Sequence, residues 1–330
     1  MAVETTTTPG GQIADLGTQA RGRSLMSESM QRLFRNKASV MGLIIISVFA
    51  FVAIFAPLIA PHDPLQFNSG KDFLPPAWVE KAQNGKSGDP EFLLGTDTLG
   101  RDVLSRVIYG ARVSMVVGLV PVTIILVVGT LVGMFAGFAG GRTDNYLMRF
   151  TDVIYAFPDL LFFIIVMITL RDTPVGTALN GLFLLFIALA IVGWVGVARL
   201  VRGQTLSLKQ KEFIEASRSI GVKNSRIMRK HLLPNTLGVL IVAGAFLIPQ
   251  MIITEAILGY LGLGLRPATD SSTFFVTSWG SLLLEGQTAI NAQPWMLLAP
   301  ALCIALIVMA FTFLGDGLRD ALDPRMRGTQ

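Results

Sequence analysis

The sequence predicts an all-α integral membrane protein with six transmembrane helices, and three observations carry that reading. The first is composition: 52% of residues are apolar and only 15% charged, against about a quarter charged in soluble domains. The second is distribution. Windows 38–61, 113–141, 173–198, 232–254 and 286–315 contain no Asp, Glu, Lys or Arg, and 153–170 contains only Asp159. All six match the roughly 17–25 residues with which a helix crosses about 30 Å of hydrocarbon, or exceed them. The third is texture. The windows are continuous apolar runs rather than short alternating segments, so they read as helices and not as barrel strands. Glycine, 33 of the 330 residues, suits the close approach of membrane helices.

Charge then predicts orientation. If all six windows cross, residues 1–37, 142–152, 199–231 and 316–330 share one side and carry 19 of the 27 Lys and Arg. The other side, 62–112, 171–172 and 266–285, carries 8. The positive-inside bias puts the first set, with both termini, in the cytoplasm. This placement, rather than a nucleic-acid partner, accounts for the net charge of +5.

The elements follow in order. Residues 1–37 form a cytoplasmic tail, of which 1–24 are polar, Thr- and Gly-rich and of disordered composition. Residues 27–37 have the pattern of a short amphipathic helix at the inner surface, with Arg32, Arg35 and Lys37 toward lipid headgroups. The apolar run that follows is too long for a signal peptide. It is helix 1, 38–61, broken by Pro57 and Pro61. Residues 62–112 make an external loop. From 99 to 115 the pattern turns helical, with Val103, Val107 and Ile108 on one face, and reads as a helix along the outer surface before helix 2.

Helix 2 carries Gly129, Gly133 and Gly137, a small-residue stripe of the kind that packs helices. Helix 3 holds Pro158-Asp159 near its inner end and turns outside at 171–174. Helix 4 returns by about Ala198 to a long basic inner loop, 199–234. Helix 5 ends outside near Gly259, Gly262 and Gly264. Trp279 and Trp295, ahead of helix 6, read as anchors at the headgroup level. A charged tail, 316–330, closes the chain on the cytoplasmic side. The single cysteine, Cys303, reads as a small packing residue. His62 and His231 fall on opposite sides of the membrane and cannot share a metal.

The basic loop is the most informative segment. Residues 212–220 form one short helix, stopped by Gly221, which tolerates a left-handed C-cap. Asn224 or Ser225 then caps a second short helix running to about His231, and Pro234 opens helix 5, where its missing N–H costs little. A helix–Gly–helix elbow pressed between two spans suits the transmission of a push from a soluble partner.

These residues resemble the EAA loop of the inner-membrane permeases of ABC importers, which has the form E-A-A-x3-G-x9-I-x-L-P. Here Glu215, Ala216, Ser217, Gly221, His231, Leu233 and Pro234 stand at those spacings, with Ser217 for the second Ala and His231 for Ile. Gly95-Thr96-Asp97 with Gly100-Arg101-Asp102 and Ser105-Arg106 resembles the external GTDxxGRDxxSR block of the C-type subunit in dipeptide and oligopeptide importers. Gly110-Ala111-Arg112, Gly140-Gly141-Arg142, Ala156-Phe157-Pro158, Leu261-Gly262-Leu263-Gly264, Ser278-Trp279-Gly280 and Gly315-Asp316-Gly317-Leu318-Arg319-Asp320 agree with that branch. The resemblance covers roughly residues 30–326.

The resemblance implies a type I importer fold (MetI-like), with the permease core at 113–315 and a cytoplasmic coupling helix. It also implies a bacterial or archaeal inner-membrane location, a B-type permease partner and two cytoplasmic ATPases docked on the EAA loops. An external substrate-binding protein delivers peptides. Glu215, Ala216 and Gly221 would be the main coupling residues. Arg218, Lys223, Arg226, Arg229 and Lys230 would complement either the ATPase surface or anionic lipid. Asp97, Arg101, Asp102 and Arg106 are either a structural polar knot or an external docking site.

Catalysis is not expected in this chain. No nucleophile–His–acid set, metal cluster or dinucleotide fingerprint is present. Gly85-Lys86-Ser87 imitates the end of a phosphate loop, but Glu80 stands at the required first glycine. ATP and Mg would therefore be bound by the partner ATPases, with no cofactor here. The alternative function from another class is a proton-coupled secondary carrier using Asp159 or Glu255, because acids inside a membrane are candidate sites.

Overall fold

The computed structural model describes residues 25–82, 84–270 and 273–322. The polar stretch 1–24 and the last residues of the tail lie outside them. All regular structure among the described residues is helical. Besides short turns at Ala56–Ile59, Pro174–Thr177 and Ala178–Gly181, it comprises α1 (Leu25–Arg35), α2 (Lys37–Ile54), α3 (Val103–Ala139), α4 (Gly141–Tyr155), α5 (Asp159–Leu170), α6 (Leu182–Lys209), α7 (Glu212–Ser219), α8 (Asn224–Tyr260), α9 (Trp279–Thr288) and α10 (Trp295–Leu322). Five helices, α2, α3, α6 with its preceding turns, α8 and α10, are long and apolar enough to cross a membrane. Their outward faces carry exposed Ile44, Val48, Leu131, Leu298 and Leu302, matching an apolar solvent.

The sixth crossing departs from the sequence reading. In place of one helix there is a pair, α4 and α5, bent by 75°. The 12 residues of α5 rise only about 18 Å. Pro158 is the cause: it has no N–H to bond backward and disfavours the α region for the residue before it, so α4 ends at Tyr155 and Pro158 stands at the N-cap of α5. Arg202 straps α4 to the end of α6 through both oxygens of Asp144, at 2.5 and 2.7 Å. Arg199 adds a 2.8 Å bond to Asp152 and lies over the Tyr155 ring.

A second departure concerns 99–115. No separate surface helix forms. The helix begins at Val103 and runs unbroken for 37 residues, about 55 Å. Its arginines are satisfied internally. Arg112, 7% exposed, donates to the Ala53 and Ile54 carbonyls and lies over Tyr109 and Phe274. It thereby takes the free carbonyls where α2 ends before Pro57. At the other terminus, α10 stays helical to Leu322, so the expected tail at 316 begins as helix.

The tightest seam joins α3 to α6. A Cβ at Gly129 would meet Val197, one at Gly133 the Ala198 carbonyl, and one at Gly137 Thr205 and the Arg202 carbonyl. Here the small-residue stripe is a packing face. The core between these helices gathers Ile125, Leu185, Leu189 and Val195 with Phe163 and Met167 of α5. The N-terminal pair docks on α10: Ser39 donates to Phe313 O at 3.2 Å, and Gly42 lies under the Ala310 carbonyl. Trp279 is not an exposed anchor. It is 0% exposed and donates from Nε1 to Val107 O at 2.9 Å, with Gly110 beneath the indole. Its helix packs directly against α3, as the contacts with Val107 and Gly110 show.

Candidate functional site

The loop 210–234 folds as an elbow. Helix α7 ends in a Schellman turn: Val222 N–H bonds Ser217 O at 3.1 Å and Gly221 N–H bonds Arg218 O at 2.9 Å. Gly221 has φ +74, the left-handed value this turn needs. Ile214 and Ser217, three apart, form the buried face of α7, while Glu215, Ala216 and Ser219 are exposed. Ser217 donates back to Phe213 O at 2.7 Å. Ile220 is 80% exposed.

Two details differ from the sequence reading. Neither Asn224 nor Ser225 caps the second helix; Lys223 stands at that position and makes no side-chain cap bond. Nor does that helix stop near His231. It runs on into the span through a single π turn, Met228–Leu232. Pro234 explains the turn. A proline there has no N–H for the preceding turn and its ring crowds a carbonyl. The extra residue moves the bonding to Leu233 N–H with Met228 O. Asn235 then donates from Nδ2 to His231 O at 2.6 Å. His231 is partly buried with its ring 6.2 Å from Phe213, Leu233 is half-buried, and Pro234 is exposed.

The concave side of the elbow is a cavity of about 860 Å³ lined by Ile220, Val222, Lys223, Arg226, Arg229 and Lys230 among others, with no acidic lining residue. Ile227 and Leu232, both 0% exposed, root it in the core. The sequence reading missed these two and Ile214. They lie on two helices, Ile214 on α7 and Ile227 and Leu232 on α8, so no single periodicity marked them.

At the opposite end of α3, two carboxylates and two guanidiniums close on each other. Asp97, 0% exposed, receives Arg101 Nε and Arg106 Nη1, each at 2.7 Å. Glu285 of α9 receives Arg101 at 3.1 Å and a fork of two bonds from Arg106, one of them 2.8 Å. Asp102 is apart from this network. It caps α3, accepting from Ser105 N at 2.9 Å and Ser105 Oγ at 2.5 Å, with His62 Nδ1 at 3.5 Å. The four residues singled out in sequence thus form two adjoining groups, and Glu285 completes the first. Beside them Asp72 is held below the usual carboxylate range, chiefly by its hydrogen bond from Lys86.

The two intramembrane acids are separate from both. Asp159 is exposed at the first residue of α5. Glu255 is 0% exposed, with neither carboxylate oxygen hydrogen-bonded. Among the described residues no three His, Cys, Asp or Glu side chains converge on a metal position.

Residues 129–328 match the family described as binding-protein-dependent transport system inner membrane component. Residues 24–76 match the N-terminal TM domain of oligopeptide transport permease C. The chain is 40% identical over 313 residues to the oligopeptide transport system permease protein OppC of Haemophilus influenzae, covering 94% of this chain and 91% of that protein. OppC of Escherichia coli is 39% identical over 309 residues, 94% of each chain. The dipeptide transport system permease protein DppC of Bacillus subtilis is 38% identical over 305 residues, 92% of this chain and 87% of that protein. In fold, the chain is similar to an inward-facing structure of the MetNI methionine ABC transporter. The TM-score is 0.52 at 19% identity, over 67% of this chain and 96% of that one.

Proposed function

From the premise that the chain belongs to the binding-protein-dependent transport system inner membrane components, we propose that it forms half of a peptide-importing pore and receives the ATPase stroke at α7. Curated relatives are oligopeptide and dipeptide permeases, which favours peptides as the solute. The observation that carries the coupling reading is the elbow. Its buried face is anchored by Ile214, Ser217 and Ile227, while Glu215 and Ala216 stand free on a protruding helix whose direction is set by Gly221. A partner groove can grip such a helix because Ala216 admits close approach. The cationic hollow beside it complements an acidic surface.

The assembly has this chain paired with a B-type permease, two ATPases that bind ATP and Mg, and an external binding protein. The elbow end, with the greater share of Lys and Arg, faces the cytoplasm with both termini. ATP hydrolysis belongs to the partners. The carrier alternative gains nothing from the geometry, since Glu255 is sealed from solvent and Asp159 stands at an exposed helix start.

The test is reconstitution in proteoliposomes with the partner permease, both ATPases and the binding protein. Peptide uptake and ATP hydrolysis should rise together on adding loaded binding protein. The isolated chain should bind no nucleotide. Proton-driven uptake by this chain alone would overturn the reading.

A further inference from the structure

The elbow and the longest helix meet at one aromatic ring. Phe138, in the last turn of α3, is 8% exposed and joins the core cluster that holds Ile214, Ile227 and Leu232. Two cations approach its ring. Arg218 Cζ of α7 is 5.1 Å from the centroid, and Lys209 Nζ of α6 is 5.8 Å from it. A cation within about 6 Å of a ring centroid is attracted by the negative face. Lys209 also donates to Phe138 O at 2.7 Å, satisfying a carbonyl that the end of α3 leaves free.

Arg218 makes no ion pair among the described residues, so the ring is the partner its guanidinium has. The rest of α7 touches the bundle through Ile214, Ser217 and the Phe213 ring beside His231, and is otherwise exposed. Movement of α7 therefore reaches α3 at Phe138. From there α3 is continuous, and its glycine seam binds it to α6, so a displacement is carried by both helices rather than absorbed in a loop.

We propose that Phe138 is a positioning residue that relays movement of α7 to α3, gripped by Arg218 of the elbow and Lys209 of α6. The proposal rests on the coupling reading of α7, and the test keeps the two apart. In the reconstituted complex, labelled di- and tetrapeptide uptake is measured per ATP hydrolysed, with co-purification of the ATPases as a check on assembly. Phe138→Leu keeps an apolar side chain and removes the π face. It should leave the ATPases bound and lower uptake per ATP by about two- to five-fold. Phe138→Trp should restore the ratio. Arg218→Gln, at an exposed residue outside the buried face of α7, should reproduce the loss.

Wild-type ratios in both Phe138→Leu and Arg218→Gln, with transport lost in Gly221→Val, would discard the relay and leave the coupling reading standing. A loss in Phe138→Leu that Phe138→Trp does not restore, with Arg218→Gln normal, would reduce Phe138 to plain packing. Normal transport in Gly221→Val would remove the coupling reading itself.

Discussion

Replacing Gly221 with valine isolates the direction of the elbow from everything else in the molecule. Gly221 sits at φ +74, and a Cβ built there meets nothing within 4 Å. No steric clash contributes, so the whole cost is conformational. For an L-residue the left-handed region costs roughly 1–2 kcal/mol, and a β-branched side chain fits it worst. The elbow with both Schellman bonds closed is therefore disfavoured by about 5- to 30-fold, with Gly221→Ala near the lower figure. The spans keep their apolar runs and should insert normally.

Peptide uptake and binding-protein-stimulated ATP hydrolysis, measured at matched membrane abundance, should fall together in Gly221→Val. Amide hydrogen exchange at 221 and 222 should quicken. Gly203→Ala is the control. It is the same kind of substitution on α6, at a helical glycine with open space around it, and should be neutral or stabilising by up to about 1 kcal/mol. A fully inserted Gly221→Val protein that transports at the wild-type rate would refute the reasoning.

Three further outcomes are expected. Trp279→Ala removes a fully buried indole and should cost about 3–5 kcal/mol, read as a lower thermal midpoint in detergent; an unchanged midpoint would contradict its burial. Asp97→Asn leaves Arg101 and Arg106 sharing one carboxylate and should cost about 3 kcal/mol, whereas a merely superficial docking role predicts normal stability and weaker binding-protein association. With Cys303 replaced, a Glu80→Cys protein in intact cells should react with an impermeant thiol reagent added outside, and labelling only from the cytoplasm would reverse the assigned orientation.

The membrane class was legible because charge-free windows depend on local composition alone. The glycine stripe at 129, 133 and 137 was legible for the same reason, since spacing states which face is small. The elbow was legible down to Gly221, because a left-handed C-cap is a local requirement. What failed were judgements that depend on distant partners. Asp97, Arg101 and Arg106 were singled out as a polar knot or a docking site, but Glu285, which closes the knot, lies 184 and 179 residues from the two arginines and was not seen. Arg112 stood only as part of a Gly-Ala-Arg block, because its acceptors are the last carbonyls of another helix. Trp279 has the look of an interfacial anchor until Val107 O is seen beside its nitrogen. The bend at Pro158 was visible as a proline, but whether it kinks a span or breaks it depends on Asp152 and Asp144 finding Arg199 and Arg202. Phe138 carried no local sign at all, because its cations come from two later segments.

The seam of α3 against α6 also sets a mechanical ratio. The backbones come closest around Gly133, far from the middle of α3. From that fulcrum the helix extends about 45 Å toward Val103 and only about 7 Å toward Phe138. A turn of α3 about this point makes it a lever with arms near six to one. If α3 and α6 turn together about this point, ångström-scale shifts at the elbow become shifts of several ångströms where Arg106 grips Asp97 and Glu285, and the force falls in the same proportion. Such a lever trades strength for reach, so a short stroke on one face of the membrane can produce a wide displacement on the other.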